Sequence, residues 1–115
     1  MLSLILTVIV AVVHFYFLYL EMVKWEAPRT RKIFGTTAEF AAQSRGLAAN
    51  QGLYNGFLAA GLIVALIIGN MPMIVYLLAC VAVAGIYAAY YGIKPALIFQ
   101  TIPALIALVT VWIGL

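Results

Sequence analysis

Apolar residues along this chain gather into four long runs that are separated by shorter polar connections. A helix that crosses a bilayer needs about 20 consecutive, mostly apolar residues, and each run reaches that length. Only helices and closed barrels satisfy their backbone groups in lipid, and the runs lack the alternation of barrel strands. The pattern predicts an all-α polytopic membrane protein, a four-transmembrane-helix bundle forming one domain over residues 1–115. The predicted helices cover residues 2–23, 47–69, 73–92 and 95–115.

The first connection, residues 24–46, is too long for a simple turn. Thr36 followed by Glu39 is a capping-box pattern, in which two side chains satisfy backbone N–H groups at a helix start. Pro28 and Gly35, which precede it, are typical of helix boundaries. The segment predicts a short amphipathic helix over residues 36–46 at the membrane interface, with a cytoplasmic extension of the second span as the alternative.

The amino-acid composition argues against a soluble domain. Hydrophobic residues make up 68% of the chain and charged residues only 8%, whereas soluble domains carry about 25% charged residues. The chain therefore lacks the polar groups that would cover a water-facing surface, and membrane lipids are its expected surroundings. Its net charge of +3 comes without the broad basic face that nucleic-acid binding needs, so nucleic acid is not an expected partner.

The positions of the basic residues predict an orientation in the cell membrane. The first and third connections share one side of a four-helix bundle and hold every Lys and Arg, whereas Gly69 to Pro72 holds none. Because Lys and Arg are enriched in cytoplasmic loops, we expect residues 24–46 in the cytoplasm and both termini outside. Trp25 and Trp112 fall at opposite faces, as interfacial anchors do. The basic residues are Lys24, Arg29, Arg31, Lys32, Arg45 and Lys94.

Polar side chains within the predicted helices also fall toward one side. With alternating helix directions and a rise of about 1.5 Å per residue, the ionisable and amide side chains occupy the half nearer the cytoplasm, and the outer half is nearly all apolar. This convergence from four helices predicts a cytoplasm-facing polar pocket for a small or lipid-like ligand. The ligand-binding candidates are His14, Glu21, Asn50, Gln51, Tyr54, Asn55, Tyr87, Tyr90 and Gln100.

The two ionisable candidates lie on one helix face. His14 and Glu21 are seven residues apart, which leaves them about 20° from the same stripe, and ionisable groups in a membrane are by default functional. We expect both to line one cavity together with Asn50 and Asn55. Structural alternatives stay open: a solvated Glu21 or one paired with Lys24, a histidine hydrogen-bonded to a neighbour, amides that join helices, and tyrosines of an aromatic belt.

Small residues recur at every fourth position of the second predicted helix. Ala48, Gly52, Gly56 and Ala60 form this stripe, and small residues allow two helix backbones to approach closely in a membrane. The stripe predicts a tightly packed neighbouring helix.

Patterns that would assign catalysis are absent from the sequence. A metal site uses several His, Cys or carboxylate ligands, whereas this chain has one histidine and three glutamates, so no metal is predicted. No phosphate loop, HExxH or GxSxG motif occurs. His14 and Glu21 could serve as acid and base, which leaves enzymatic activity open, and the sequence names no cofactor.

Several stretches resemble a family of small four-helix bacterial and fungal integral membrane proteins that is known only as a domain of unknown function. The similarity spans nearly the whole chain and brings no activity with it. It implies that six of the candidates are family-pattern positions, namely His14, Glu21, Asn50, Gln51, Asn55 and Gln100. The matching stretches are HFYFLYLEMVKW (His14 to Trp25), PRTRKIFG (Pro28 to Gly35), AANQGLYNGFLAAG (Ala48 to Gly61) and QTIP (Gln100 to Pro103).

Length and helix layout are also similar to those of the small multidrug resistance transporters, which act as dimers around a glutamate in the first helix. Here Glu21 lies at the end of that helix, and the transporter motifs are missing. A proton-coupled transporter, a homo-oligomer in that case, is therefore the second hypothesis. The third is a structural partner subunit, which would pair its polar stripes helix to helix and leave no cavity.

Overall fold

The long helices of the protein coincide with its apolar runs, as a computed structural model describing all 115 residues shows. Its secondary structure is entirely helical, and two short helices occupy the first connection. The elements are α1 (Leu2–Met22), α2 (Pro28–Phe34), α3 (Ala38–Gln43), α4 (Arg45–Ile67), α5 (Met71–Tyr90), a π-helical turn (Leu97–Thr101) and α6 (Ile102–Trp112).

The four long helices pack as a ring in which each lies beside its neighbours in the chain. α1 contacts α4 and α6, and α5 contacts the same two helices from the other side. The core between them consists of branched residues such as Leu62, Ile74 and Leu78, together with alanines that let the helices approach. The predicted all-α four-helix bundle is confirmed.

The outer surface of the bundle is apolar. Large hydrophobic side chains on every long helix are exposed, which a water-facing surface does not favour but lipid does. α1, α4 and α5 are long and apolar enough to cross a membrane, and the apolar helix of residues Leu97–Trp112 is shorter. Length and composition are therefore compatible with a membrane protein.

α1 and α4 pack closely because glycines of α4 lie at their contact and leave room for α1. A Cβ atom built on Gly52 would lie 2.7 Å from Met22 Cγ and 3.2 Å from the carbonyl oxygen of Leu18. The predicted small-residue stripe is buried at its first three positions, but Ala60 is exposed and Ala59 is buried in its place. Steps of four residues turn 40° too far per step, so the stripe rotates away from α1.

The connecting segment, residues 24–44, contains two helices where the sequence predicted one. Pro28 begins α2, and Gly35 ends it with a φ of 69°, a left-handed conformation that favours glycine. α3 starts one residue later than the capping pattern indicated, because Thr37 rather than Thr36 accepts a hydrogen bond from the Phe40 N–H, at 3.1 Å.

The wide π turn before α6 follows from Pro103. Proline has no N–H to give, and its ring would collide with the carbonyl four residues earlier in a regular α-helix. The chain opens to a turn in which the Ile102 N–H bonds to Leu97 O. The turn packs against α5, where Thr101 Oγ1 donates to the Ala82 carbonyl at 3.1 Å and Gly85 leaves room for it.

Candidate functional site

The basic end of the bundle is the end at which α1 and α5 finish and at which α4 and the π turn begin. All six basic residues lie in or beside the connections at this end. A cavity of about 480 Å³, here called the basic-end cavity, opens there beneath the connecting segment. Its lining consists of Phe17, Glu21, Trp25, Phe34, Phe40, Ser44, Leu47, Ala48, Asn50, Gln51, Asn55, Ala88, Ile93 and Gln100.

Glu21 and Asn55 form the buried polar contact of the cavity. Both side chains are less than a tenth exposed, and Asn55 Nδ2 donates a hydrogen bond to Glu21 Oε1. Close packing at Gly52, one turn before Asn55, brings α4 near enough to α1 for this contact. Glu21 Oε2 has no protein partner and is not sealed from the cavity, so it remains an available acceptor.

No cation of the protein pairs with Glu21. The chain has one ion pair, between Arg45 and Glu26 at 3.5 Å, and it lies on the exposed surface. The predicted alternative of a Glu21–Lys24 pair is therefore wrong: the glutamate points into the bundle toward α4, whereas Lys24 is exposed beyond the end of α1.

Three further amides line the cavity, and two of them, Asn50 and Gln51, make no hydrogen bond to the protein, whereas the third, Gln100, lies beside the His14 ring. Asn50 and Gln51 reach it from α4, and Gln100 reaches it from the π turn. Asparagine and glutamine side chains each offer two N–H donors and one carbonyl acceptor. The cavity therefore presents unpaired donors and acceptors opposite apolar walls.

The connecting segment supplies an aromatic cover that the sequence interpretation did not include. Trp25, which we interpreted as an interfacial anchor, also lines the cavity, with its Nε1 donating to Ser44 Oγ at 3.1 Å. Phe34 packs on the Trp25 ring with a centroid distance of 5.1 Å, and Phe40 completes the cover. These residues carry no periodic signal, because their position depends on how the connection folds back over the bundle.

His14 lies outside the cavity lining, contrary to the expectation that it lines the cavity with Glu21. The side chain is fully buried, deeper in the bundle than Phe17, whose ring packs edge-on at 5.5 Å. Nδ1 lies 2.8 Å from the Val10 carbonyl oxygen, which can only accept, so Nδ1 carries the proton. Nε2 is then an acceptor, and it has no partner even though the Gln100 side chain lies beside the ring.

The three tyrosine candidates also lie away from the cavity. Tyr54, Tyr87 and Tyr90 are each more than half exposed and are absent from the lining. Tyr54 directly precedes Asn55 in α4. Because successive helix residues are rotated by about 100°, the Tyr54 side chain lies on the outer face when Asn55 points inward. The position of a residue along its helix, on which these three candidates were based, does not determine whether its side chain points into the bundle.

The matched sequence family agrees with the resemblance seen in the residues. A family described as "Protein of unknown function (DUF1304)" matches residues 8–112. The chain belongs to this family. An uncharacterised protein, YpaA, of Lactococcus lactis subsp. lactis (strain IL1403) is 29% identical over 113 residues, which cover 95% of each chain. No solved structure matches the chain. The matched range contains every residue that lines the basic-end cavity.

Proposed function

We propose that this DUF1304 protein is a multi-pass protein of the cell membrane that binds a small or lipid-like molecule in the basic-end cavity. Ligand pockets typically occupy about 300–1,000 Å³ and combine apolar walls with a few polar groups. The basic-end cavity, at about 480 Å³, fits this description. The observation that carries the proposal is the pair of lining amides, Asn50 and Gln51, that the protein itself leaves unpaired.

The charge distribution supports a cytoplasmic opening for the cavity. Every Lys and Arg lies at the basic end, and basic loops of membrane proteins face the cytoplasm. The two termini meet at the opposite end, where the Met1 amino group donates to the Leu115 carbonyl at 2.8 Å. In this orientation the termini face outward and a ligand enters from the cytoplasm or from the inner leaflet.

The far half of the bundle favours binding over transport. Between the cavity and the opposite end lies a close-packed apolar core that includes Val10, Leu62 and Ile74, each almost fully buried. A transporter needs alternating access from both sides, and nothing in this core opens a second path. A structural subunit is also disfavoured, because its amides would pair between helices, whereas Asn50 and Gln51 line the cavity without a hydrogen bond to the protein.

Mass spectrometry of the intact protein tests the proposal. The protein purified in a mild detergent should carry a bound molecule that is visible as a discrete added mass. Ala88→Phe places a ring into the cavity from α5 and should remove that mass. Ala84→Phe, one turn earlier on the exposed outer face of the same helix, is the matched control and should retain it. An added mass that survives Ala88→Phe would contradict the assignment of the binding site.

A further inference from the structure

The ionisable residue inside the basic-end cavity is an acid, whereas the connections around the cavity hold all six basic residues. Glu21 is the only Asp, Glu, Lys, Arg or His side chain among the lining residues. None of the six basic side chains lines the cavity, and all six are exposed or half-buried. Exposed charges are screened by water and salt, so the acidic group that a cationic ligand would meet inside the cavity is the Glu21 carboxyl.

That carboxylate lacks the partner that its burial requires. A buried charge is stable in proteins only when it is paired and hydrogen-bonded. Glu21 receives one neutral hydrogen bond, from Asn55 to Oε1, and its second oxygen faces the cavity without a protein donor. A positively charged donor from a ligand would complete the site.

The walls above the carboxylate suit the same kind of ligand. Phe17, Trp25, Phe34 and Phe40 all line the cavity, and the faces of aromatic rings attract cations, most strongly those of tryptophan. The remaining apolar lining can hold a hydrocarbon chain. Carboxylate and rings together form an environment that favours an organic cation over an anion.

We propose that the ligand of the basic-end cavity is an amphipathic amine, with its ammonium group against Glu21 and its hydrocarbon part between the aromatic side chains. This inference rests on the proposed function, because it names the chemical class that the same cavity binds. Recognition is by charge and shape, and Asn55 holds the carboxylate in position for it.

Trp25 provides the signal for a direct test. The chain has two tryptophans, and Trp112 lies exposed at the opposite end, so Trp112→Phe leaves Trp25 as the only tryptophan. Excitation at the long-wavelength edge of tryptophan absorption excludes the seven tyrosines. The protein is placed in nanodiscs of uncharged phosphatidylcholine and titrated with octylammonium, octanol and octanoate, which share one hydrocarbon chain. A Trp25→Phe variant, whose reporter is Trp112, measures partition of each probe into the bilayer.

Octylammonium should bind at least about tenfold more tightly than octanol, since a hydrogen bond to a charged group contributes about that much, and octanoate should bind most weakly. Glu21→Gln keeps the size of the side chain and an oxygen for Asn55 but removes the charge. It should bring octylammonium to within about twofold of octanol while octanol affinity stays unchanged, which also shows that the variant is folded. Glu26→Gln, an exposed acid outside the cavity, should leave the order of affinities unaltered.

Two failures are distinguishable. Saturable binding of all three probes with equal affinity, tightest binding of octanoate, or a preference for octylammonium that persists in Glu21→Gln would overturn the ammonium proposal and leave the binding pocket intact. Absence of a saturable Trp25 response to any probe would contradict the proposed function and this inference together.

Discussion

Glu21 and Asn55 meet across the α1–α4 contact, and neither side chain has another hydrogen-bond partner in the protein. A buried polar group that loses its partner costs about 1–3 kcal/mol, and more when the group is charged. The pair therefore acts as one unit, so the contribution of each residue depends on the presence of the other.

A double-mutant cycle on this pair should show strong coupling. Glu21→Ala and Asn55→Ala should each lower the free energy of unfolding, and the double variant should lose less than the sum by about 0.5–3 kcal/mol. Unfolding in mixed detergent micelles provides the measurement. The pair Glu21 and Asn50, which share the cavity without a hydrogen bond, should be additive; equal coupling in both cycles would contradict a specific contact.

His14 is expected to be held in one neutral tautomer. Because its Nδ1 faces a carbonyl oxygen, nitrogen-15 NMR of histidine-labelled protein should show a proton on Nδ1 and none on Nε2. His14→Leu removes an unpartnered buried acceptor, and the Val10 carbonyl keeps its hydrogen bond within α1. The variant should change the free energy of unfolding by less than about 1 kcal/mol, because no buried polar group is left unsatisfied. A proton on Nε2, or a large loss of stability, would mean that Nε2 has a partner that this arrangement lacks.

Sequence patterns placed polar residues at the correct end of the bundle but could not choose among neighbours. Asn55 and Tyr54 have the same predicted depth, and only the packing of α4 on α1 decides that the amide points inward. Trp25 was interpreted as an interfacial anchor from its position at the end of the first apolar run, because its contact with Ser44, nineteen positions away, is not visible in the sequence pattern. Such contacts depend on tertiary folding, which helical periodicity does not encode.

The packing of α1 on α4 depends on two glycines of α4, Gly52 and Gly56, where a side chain would collide with α1. Gly52→Ala should lower the free energy of unfolding by about 1–3 kcal/mol, as overpacking typically does, because its Cβ would crowd Glu21 Cβ at 3.0 Å as well as the Leu18 carbonyl. Gly46 lies on the same helix with open space where a Cβ would be, and alanine is the better helix former. Gly46→Ala should therefore be neutral or stabilising, as thermal unfolding in detergent would show; similar losses at both sites would indicate a propensity effect instead.

The long helices were predictable to within a few residues because apolar runs alone determine them. The last helix differs most, since the run from residue 95 begins with Pro95 and contains Pro103, and the chain becomes regular α-helix only at Ile102. A proline nine residues into a helix carries a signal for irregular backbone, although the widened turn depends on space at Gly85. In the first connection, Pro28 and Gly35 indicate the boundaries of α2, whereas the capping pattern at Thr36 placed the start of α3 one residue too early.

At the scale of the whole molecule, the one-sided charge predicts which face meets the cytoplasm. In a Cys80→Ala background, a membrane-impermeant maleimide added to intact cells should label Ile68→Cys, which is exposed beside the α4–α5 connection, and miss Ala38→Cys, which is exposed at the basic end. Both cysteines should react after the membrane is permeabilised. Labelling of Ala38→Cys alone in intact cells would reverse the orientation and open the cavity to the outside.

The connecting segment, residues 24–44, is expected to set the residence time of the ligand proposed for the basic-end cavity. α2 and α3 pack mainly on each other and on the start of α4, and elements with few partners open locally at lower free energy than a core. The dissociation rate of the ligand would then be limited by this opening rather than by the strength of the contacts inside the cavity. Ser44→Ala, which removes the bond to Trp25, should raise amide exchange in α2 and α3 and shorten the residence time of the bound molecule by a similar factor.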